Sequence, residues 1–261
     1  MATDPSRPST VRVALVYPDL LGTYGDSGNA VILAQRLRWR DQPAEMVEVN
    51  AGDAVPDSCD LYVIGGGEDL PQALAASDLN AQRSLHRAVD RGAVVLAVCA
   101  GLQILGRTFV GPDGVERPGL GLLDCVTVRG RGRRAVGELV VQPTADPAMP
   151  LLTGYENHGG VTSLGPDARP LGLVQAGVGN GPPPDGGPVT DGAVSGRTWS
   201  TYMHGPVLAR NPRLADRLLS LVVGPLAPLD DSESEELRAE RLRAALRPSR
   251  WRPRARCHGP R

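Results

Sequence analysis

The chain has 261 residues, of which 41% are hydrophobic, so it can bury the core of one large α/β domain or of two smaller ones. Its formal net charge of -1 offers no overall attraction for nucleic acid or for an anionic membrane. All 28 basic residues are arginine, which excludes lysine Schiff-base catalysis and a lysine-dependent phosphate loop.

Apolar segments in the first half of the chain alternate between strand-like and helix-like spacing. Strands are predicted at residues 11–17, 46–49, 61–64 and 94–98. Between them, Val31, Leu33 and Leu37 predict a helix with one apolar face, and residues 79–91 predict another that ends at Gly92. This alternation is typical of a parallel sheet with helices on both faces.

The second half of the chain favours shorter strands separated by turns. Strands are predicted at residues 122–128, 136–142, 171–175 and 197–203, with the loop NGPPPDGG before the last of them. We expect a mixed or antiparallel sheet packed on the first half. Leu214, Leu218, Leu221 and Val222 predict a further helix that begins at Asn211 and Pro212.

The ends of the chain differ in composition from its centre. We expect a flexible N-terminus over residues 1–10, a compact domain over 11–226, and a charged tail over 227–261. The tail runs from the acidic DDSESEE into an arginine-rich helical pattern. Such a segment is typical of a solvated helix followed by disorder, and docking on a partner or an acidic surface is the alternative.

The cysteines show no pattern of disulfide or metal binding. Cys59, Cys99, Cys125 and Cys257 include no CxxC pair and no His/Cys ligand spacing. The sequence therefore predicts free thiols and no metal site. The first ten residues lack an apolar signal region, and the apolar stretch between Arg91 and Arg107 is too short for a bilayer span. We expect a cytoplasmic protein.

Cys99 follows the strand-like run AVVLAV and precedes Ala100 and Gly101, where a helix begins. A nucleophile on such a sharp strand-to-helix turn lies at the carboxyl edge of a parallel sheet, next to backbone N–H groups and the positive end of a helix. Cys99 is thus a candidate nucleophile. The alternative is a small buried hydrophobic residue that ends a strand.

Two motifs resemble class I, triad-type glutamine amidotransferases. The pattern C-x-G-x-Q at Cys99, Gly101 and Gln103 is similar to their nucleophile turn, and IGGGEDLPQ at residues 64–72 is similar to their glycine-rich strand end. The resemblance implies an α/β fold of three layers, with a mostly parallel central sheet flanked by helices. It also implies hydrolysis of the glutamine carboxamide through a cysteine thioester.

In that family, glycine-rich backbone supplies the oxyanion hole. We expect the donors to be the amides of Gly66, Gly67 and Ala100, because residues without a side chain allow close approach to a tetrahedral carbon. A plain exit from strand to loop would also explain the GGG run. Ala97 and Ala100 stand where many relatives have glycine, so a positive φ at Ala100 would weaken this assignment.

A cysteine nucleophile needs a base that can protonate the departing ammonia, and histidine is the obvious choice. Of the four histidines, His86 and His258 are expected to face solvent. His204 ends a predicted strand and is the expected base, while His158 is expected in a loop that lines or supports the pocket. The family commonly has a glutamate two residues after the histidine, but here that residue is Pro206. Either a dyad suffices, or the acid comes from elsewhere, for instance from a partner protein.

Five phrases occur in the order seen in cobyric-acid-synthase-like amidotransferases, over residues 11–225. They are YGDSGN, GGGEDLPQ, CAGLQILG, YENHGG and YMHGPVLARNP. The resemblance is strongest to the branch that serves peptidoglycan synthesis. It implies a glutaminase subunit that forms a heterodimer with a MurT-like Mur ligase and supplies ammonia for amidation of the D-glutamate α-carboxyl of lipid II. No cofactor is expected on this chain, whereas ATP and Mg are expected on the ligase.

The same resemblance implies residues that bind glutamine. Gln103 and Arg134 are the expected ones, since a guanidinium matches the α-carboxylate of glutamine. The motif RGRGRR also offers Arg129, Arg131 and Arg133, and a basic surface loop is the alternative. Two other functions stay open: an amidotransferase for another carboxylate, as in the corrin pathway, and a catalytically silent regulatory subunit.

Overall fold

The computed structural model describes residues 9–183 and 185–246. Its strands in chain order are β1 (Val11–Val16), β2 (Ala44–Val49), β3 (Leu61–Ile64), β4 (Val94–Val98), β5 (Thr108–Val110), β6 (Glu116–Pro118), β7 (Cys125–Arg129), β8 (Ala135–Pro143), β9 (Leu152–His158), β10 (Gly160–Leu164), β11 (Gly172–Ala176), β12 (Thr190–Asp191), β13 (Ala193–Ser195) and β14 (Thr198–Thr201). Its helices are α1 (Pro18–Leu21), α2 (Gly28–Arg38), α3 (Asp69–Gln82), α4 (Ser84–Asp90), α5 (Ala100–Leu105), α6 (Val207–Arg210), α7 (Pro212–Val223) and α8 (Ser232–Ala245).

A six-stranded sheet forms the centre of the protein, in the order β13-β14-β4-β3-β1-β2. Strands β14, β4, β3, β1 and β2 are parallel, and only β13 at the edge is antiparallel. Strands β3 and β4 are buried at every position, as expected for parallel strands that are covered on both faces. The predicted parallel α/β sheet is confirmed.

Two four-stranded sheets follow, in the orders β10-β7-β5-β6 and β12-β11-β8-β9. The first is mixed, because β5 and β7 are parallel, and the second is antiparallel. The expectation of mixed or antiparallel sheet in the second half is therefore confirmed, with one correction. The strand predicted at 197–203 joins the central sheet as β14, parallel to β4. Its residues Thr198 to Thr201 are all buried, which a central strand requires.

Two details of the helix prediction are wrong. Residues 79–91 are not one helix, because Arg83 has a left-handed backbone (φ 56°) that separates α3 from α4. Val31 is not on the apolar face of α2: its side chain is 49% exposed, while Leu33 and Leu37 are buried. Gly92, with φ 89°, ends the α4 turn as predicted.

The predicted helix after Pro212 is confirmed as α7, which buries Leu214 and Leu218. Asn211 precedes it, but its side chain does not cap the helix. Instead its amide donates to the carbonyl oxygens of Thr153 and Val207. No helix within residues 9–183 and 185–246 combines the length and the apolar composition that crossing a bilayer requires.

Helix α8 lies on the surface, and none of its residues is buried. Its start is fixed by Asp231, which accepts from Arg36 at 2.7 and 2.8 Å, and Arg238 donates to the carbonyl oxygen of Leu151 at 2.8 Å. Arg36 is only 3% exposed and also binds both carboxylate oxygens of Asp216. This arginine therefore connects α2, α7 and the segment that leads into α8.

Replacing Arg36 should destabilise the protein. In Arg36→Met, the carboxylates of Asp216 and Asp231 lose their buried cation, and we expect the free energy of unfolding in urea to fall by about 2 kcal/mol. Burial raises the pKa of Asp216, but the bonds to Arg36 and Arg40 together outweigh burial and hold this pKa below its ordinary value. The difference from the unmodified protein should therefore shrink as the pH falls through the acid range.

A matched control is Arg38→Met, on the exposed side of the same helix, which should change stability by less than about 0.5 kcal/mol. Equal losses in the two variants would show that the Asp216 and Asp231 pairs do not stabilise the fold.

Candidate active site

Cys99 occupies a strained turn between β4 and α5. Its backbone has φ 50° and ψ -103°, a conformation that L-residues rarely adopt. The amide of Cys99 donates to the carbonyl oxygen of Thr201 at 2.9 Å, which continues the pairing of β4 with β14. The side chain is 7% exposed and lines a surface cleft. The geometry is that of a nucleophile turn at the carboxyl edge of the sheet.

His204 reaches the same edge from the neighbouring strand. It follows β14, and its backbone N–H donates to the carbonyl oxygen of Tyr155 at 2.7 Å. The imidazole is 1% exposed, with Nδ1 at 2.8 Å from Oδ2 of Asp26. Nε2 has no hydrogen-bond partner in the described part of the chain, so it is available to exchange a proton with the nucleophile.

The environment of His204 favours its charged form. Burial alone would lower the pKa of the imidazole, but the Asp26 carboxylate and the neighbouring Cys99 sulfur raise it above the ordinary value. Cys99 and His204 are 105 residues apart in sequence, yet the fold brings the sulfur near enough to the imidazole to raise its pKa. An imidazolium formed when the thiol gives up its proton would be stabilised at this place.

Asp26 is the acid that sequence reasoning did not assign. It lies in the YGDSGN motif between α1 and α2 and is fully buried. Its Oδ2 accepts from Nδ1 of His204 and from the N–H of Gly66, both at 2.8 Å, and its Oδ1 accepts from the N–H of Gly205 at 3.1 Å. This contact favours the alternative in which the acid comes from elsewhere, here from this chain itself, over a bare dyad. The available signal was an aspartate in a glycine-rich turn beyond the first strand.

Gly66 has a different role from the predicted one. Its N–H is engaged by Asp26, so the structure does not leave it free to bind an oxyanion. A Cβ at this position would lie 2.4 Å from Cε1 of His204. Gly66 is therefore needed because it leaves room for the imidazole beside the Asp26 carboxylate.

The other two predicted oxyanion donors have suitable surroundings. Gly67 and Ala100 line the same cleft as Cys99. The N–H of Gly67 has no partner among the described residues, and Ala100 is the first residue of α5, where helix N–H groups are unpaired. The backbone of Ala100 does not have a positive φ. In this turn the residue with a positive φ is Cys99. An alanine side chain is thus tolerated at this position.

Two arginines of the RGRGRR motif line the cleft, namely Arg129 and Arg134, whereas Arg131 and Arg133 do not. Arg134 is held by Asn157, through Nε to Oδ1 and through Nη2 to the carbonyl oxygen at 2.9 Å. Arg129 donates to the carbonyl oxygen of Pro112 at 2.7 Å. Both guanidinium groups are therefore placed at the mouth of the cleft, and Arg134 remains the predicted ligand of the substrate.

Gln103 also lines the cleft, but its amide is engaged on both sides. Its Oε1 accepts from Nε2 of Gln72 at 2.8 Å, and its Nε2 donates to the hydroxyl of Tyr202 at 3.2 Å. Tyr202 in turn bonds Thr162 at 2.7 Å. Gln103 is thus part of a hydrogen-bonded floor beneath the substrate site, and its direct contact with substrate stays a prediction.

The remaining histidines are placed as follows. His158 lies in the cleft wall, but as the buried last residue of β9 rather than in a loop. His86 is partly buried, bonds the carbonyl oxygen of Leu120 at 2.8 Å and does not line the cleft. His258 and Cys257 lie outside the described residues.

Residues 12–212 match the family model of the CobB/CobQ-like glutamine amidotransferase domain. The chain belongs to this family. The Staphylococcus aureus subunit GatD of lipid II isoglutaminyl synthase (glutamine-hydrolyzing) is 34% identical over 86% of this chain and 90% of its own. The Streptococcus pneumoniae GatD is 33% identical over 83% and 82%, respectively. A Jannaschia cobyric acid synthase is 39% identical over 60% of this chain but only 31% of its own length.

Solved structures show the same fold. A glutamine amidotransferase structure matches with a TM-score of 0.53 at 19% identity, over 81% of this chain and 98% of its own. The glutaminase domain of Trypanosoma brucei CTPS, solved with bound acivicin, matches with a TM-score of 0.51 at 8% identity, over 84% and 96%. The predicted class I glutamine amidotransferase-like fold is confirmed.

Replacing Asp26 should reduce turnover without unfolding the protein. Asp26→Asn keeps the shape of the side chain but removes its charge, so the imidazolium form of His204 loses its stabilising partner. If the amide nitrogen faces Nδ1, the imidazole is also no longer held in one tautomer. We expect kcat for ammonia release from glutamine to fall by about 100-fold or more, with a smaller change in KM. Asp90→Asn, at the exposed end of α4, is the matched control and should retain full activity. Unchanged kcat in Asp26→Asn would contradict the role of this carboxylate.

A methyl group at Gly66 should displace the base. In Gly66→Ala the new Cβ would stand 2.4 Å from Cε1 of the His204 ring, so the imidazole must leave its position beside Asp26. We expect ammonia release to fall by about 100-fold or more, since small displacements of catalytic groups cost about this much. Gly132→Ala, which has open space around the added methyl, is the control. Full activity of Gly66→Ala would show that the ring is placed differently.

Proposed function

We propose that this chain is a glutaminase subunit: it hydrolyses L-glutamine through a thioester on Cys99 and delivers ammonia to a MurT-like Mur ligase that amidates lipid II. The observation that carries the proposal is the convergence of Cys99, His204 and Asp26 beside the free amides of Gly67 and Ala100. Membership of a glutamine amidotransferase family supports the same chemistry.

The first half of the reaction forms the thioester. His204 Nε2 takes the proton of the Cys99 thiol, and the sulfur attacks the carboxamide carbon of glutamine. The N–H groups of Gly67 and Ala100 donate to the oxyanion of the tetrahedral intermediate. His204 then gives its proton to the amide nitrogen, the C–N bond breaks, and ammonia leaves.

The second half releases glutamate. Water attacks the thioester carbon while His204 accepts one of its protons, and the same two amides hold the second oxyanion. The C–S bond then breaks, the sulfur regains a proton from His204, and glutamate departs. Asp26 keeps Nδ1 of His204 as a donor throughout, so Nε2 is the nitrogen that shuttles the proton.

The acceptor follows from the relatives. The two GatD subunits match over 82% or more of their own length, whereas this chain spans about a third of the cobyric acid synthases it matches. The GatD subunits also match over 83% or more of this chain, against 60% and 64% for these cobyric acid synthases, which favours a glutaminase subunit with a ligase partner over a corrin enzyme. In this proposal ATP and Mg bind the partner, which converts the D-glutamate of lipid II to D-isoglutamine. The protein works in the cytoplasm. A silent regulatory subunit would have no need for a complete Cys-His-Asp set.

Reconstitution tests the proposal. The purified chain, a MurT-like ligase, glutamine, ATP and lipid II should give amidated lipid II, measured by mass spectrometry. Cys99→Ala should abolish the glutamine-dependent product, and ammonium chloride should restore it, because the ligase then receives ammonia directly.

Cys59→Ala is the matched control, since that thiol is buried away from the cleft and should leave the product unchanged. Glutamine-dependent amidation by Cys99→Ala would overturn the mechanism. Glutamine hydrolysis without amidation of lipid II would overturn the acceptor but not the glutaminase.

A further inference from the structure

The YGDSGN turn contacts the His204 ring with two side chains. Asp26 lies 2.8 Å from Nδ1 of the imidazole. Tyr24, two residues earlier, packs its ring against the same imidazole in an edge-to-face arrangement, with 4.8 Å between the ring centroids. Aromatic rings in this arrangement attract each other beyond the burial of their area. The proton transfers proposed for the reaction involve Asp26 but leave Tyr24 without a function.

Hydrogen bonds on both sides of Tyr24 fix the backbone of this turn. The N–H of Thr23 donates to the carbonyl oxygen of Gly66 at 3.1 Å, and the N–H of Gly66 donates to Asp26 at 2.8 Å. Between these two bonds, Tyr24 has a left-handed backbone with φ 62°, which residues with a bulky side chain rarely adopt. Such strain persists only where the surrounding structure holds it. The turn therefore holds Tyr24 and Asp26 against one imidazole.

The hydroxyl of Tyr24 is connected to the mouth of the cleft. It accepts from Nδ2 of Asn157, whose Oδ1 accepts from Nε of Arg134. A second bond joins Nη2 of Arg134 to the carbonyl oxygen of Asn157 at 2.9 Å. Arg134 lines the cleft together with Cys99. A continuous chain of contacts therefore runs from the catalytic base through Tyr24 and Asn157 to this arginine.

The imidazole of His204 needs a contact that limits its tilt. Nε2 must stay available to exchange its proton, and within the described residues the ring is hydrogen-bonded only through Nδ1. One hydrogen bond fixes the position of one atom but leaves the ring able to tilt about it. The Tyr24 ring restricts this tilt, because it packs against the imidazole itself.

Tyr24 adds little to the hydrophobic core. Its side chain is 42% exposed, whereas the imidazole on which it packs is 1% exposed. Tyr24 is also not among the residues that line the cleft, so it covers part of the imidazole from the protein surface. Removing its ring should therefore leave the fold intact, which separates an effect on the base from an effect on stability.

We propose that Tyr24 is a positioning residue whose ring holds the His204 imidazole in place for proton exchange with Cys99. Its hydroxyl, through Asn157, connects this base to Arg134 at the mouth of the cleft. The inference rests on the proposed glutaminase function and adds a residue that acts on the reaction through the base. The orientation of the base and the position of Arg134 are thus coupled.

Two variants separate the ring of Tyr24 from its hydroxyl. In Tyr24→Leu, kcat for ammonia release should fall by about tenfold or more, because a displaced base costs rate. Tyr24→Phe keeps the ring against His204 and should lose no more than about threefold in kcat. Both variants lack the hydroxyl and should show the same modest rise in KM. Trp39→Leu removes another exposed aromatic side chain, outside the cleft, and should keep full activity.

Alkylation of Cys99 tests the base without a substrate. Iodoacetamide reacts with the thiolate, so its rate depends on the passage of the thiol proton to His204. The rate, followed by mass spectrometry on the peptide that contains Cys99, should fall in Tyr24→Leu by about the same factor as kcat and stay nearly unchanged in Tyr24→Phe. A loss of kcat that follows a loss of unfolding free energy, with unchanged alkylation, would assign Tyr24 to structure alone and overturn the inference. Full kcat in Tyr24→Leu would overturn it as well.

A double-mutant cycle tests the connection to the cleft. Tyr24→Phe and Arg134→Met both interrupt the chain through Asn157, so the loss of kcat/KM in the double variant should be smaller than the product of the two single losses. Arg129→Met is the matched comparison, because Arg129 lines the same cleft but bonds the carbonyl oxygen of Pro112. Its effect should multiply with that of Tyr24→Phe. Multiplication in both pairs would overturn the connection.

The two kinds of measurement also separate this inference from the proposed function. Slower alkylation of Cys99 in Tyr24→Leu, in a protein that does not hydrolyse glutamine, would overturn the glutaminase function but support the positioning of His204 by Tyr24.

Discussion

The carboxylate of Asp26 joins three segments that the chain brings together only in the folded state. It accepts from the His204 ring, from the amide of Gly66 and from the amide of Gly205, and it is fully buried. The oxygens of a buried carboxylate need hydrogen-bond donors, so the His204 ring and the two amides cannot move independently of Asp26. The position of the His204 ring therefore depends on the loop beyond β1 as much as on the strand that leads to His204.

The parallel sheet makes this convergence possible. Strands β1, β3, β4 and β14 run in the same direction, so the segments that carry Asp26, Gly66, Cys99 and His204 all leave the sheet at one edge. The strained backbone of Cys99 is stabilised by its bond to Thr201 and by the buried strands on both sides. A strained nucleophile can persist here because the surrounding core leaves it no alternative conformation.

Patterns that depend on local sequence were predictable, and contacts that depend on side-chain geometry were not. The strands at 61–64 and 94–98 have the predicted bounds, because a continuous apolar run fixes a buried strand. The break at Arg83 was missed, since a left-handed arginine carries no signal in the helical pattern. Val31 was misplaced because a single valine can lie on either side of a short helix.

The site shows the same division. Cys99 and His204 could be assigned from their motifs, because each residue type has one obvious role in such chemistry. Gly66 was assigned to the oxyanion from its glycine-rich context, but that context also fits a glycine that makes room for a ring. The structure distinguishes the two, since the Gly66 amide points at Asp26. The acid itself was missed because 178 residues separate it from the histidine it binds.

The residues that line the cleft come from different parts of the fold. Cys99, His204 and Asp26 follow strands of the central sheet, whereas Arg129 and His158 end β7 and β9 of the smaller sheets and Arg134 directly precedes β8. Tyr202 connects the two, because it stacks on His158 and lies two residues before His204. None of these sheets needs a site for the ammonia acceptor, since the ligase subunit of the proposed complex would provide it.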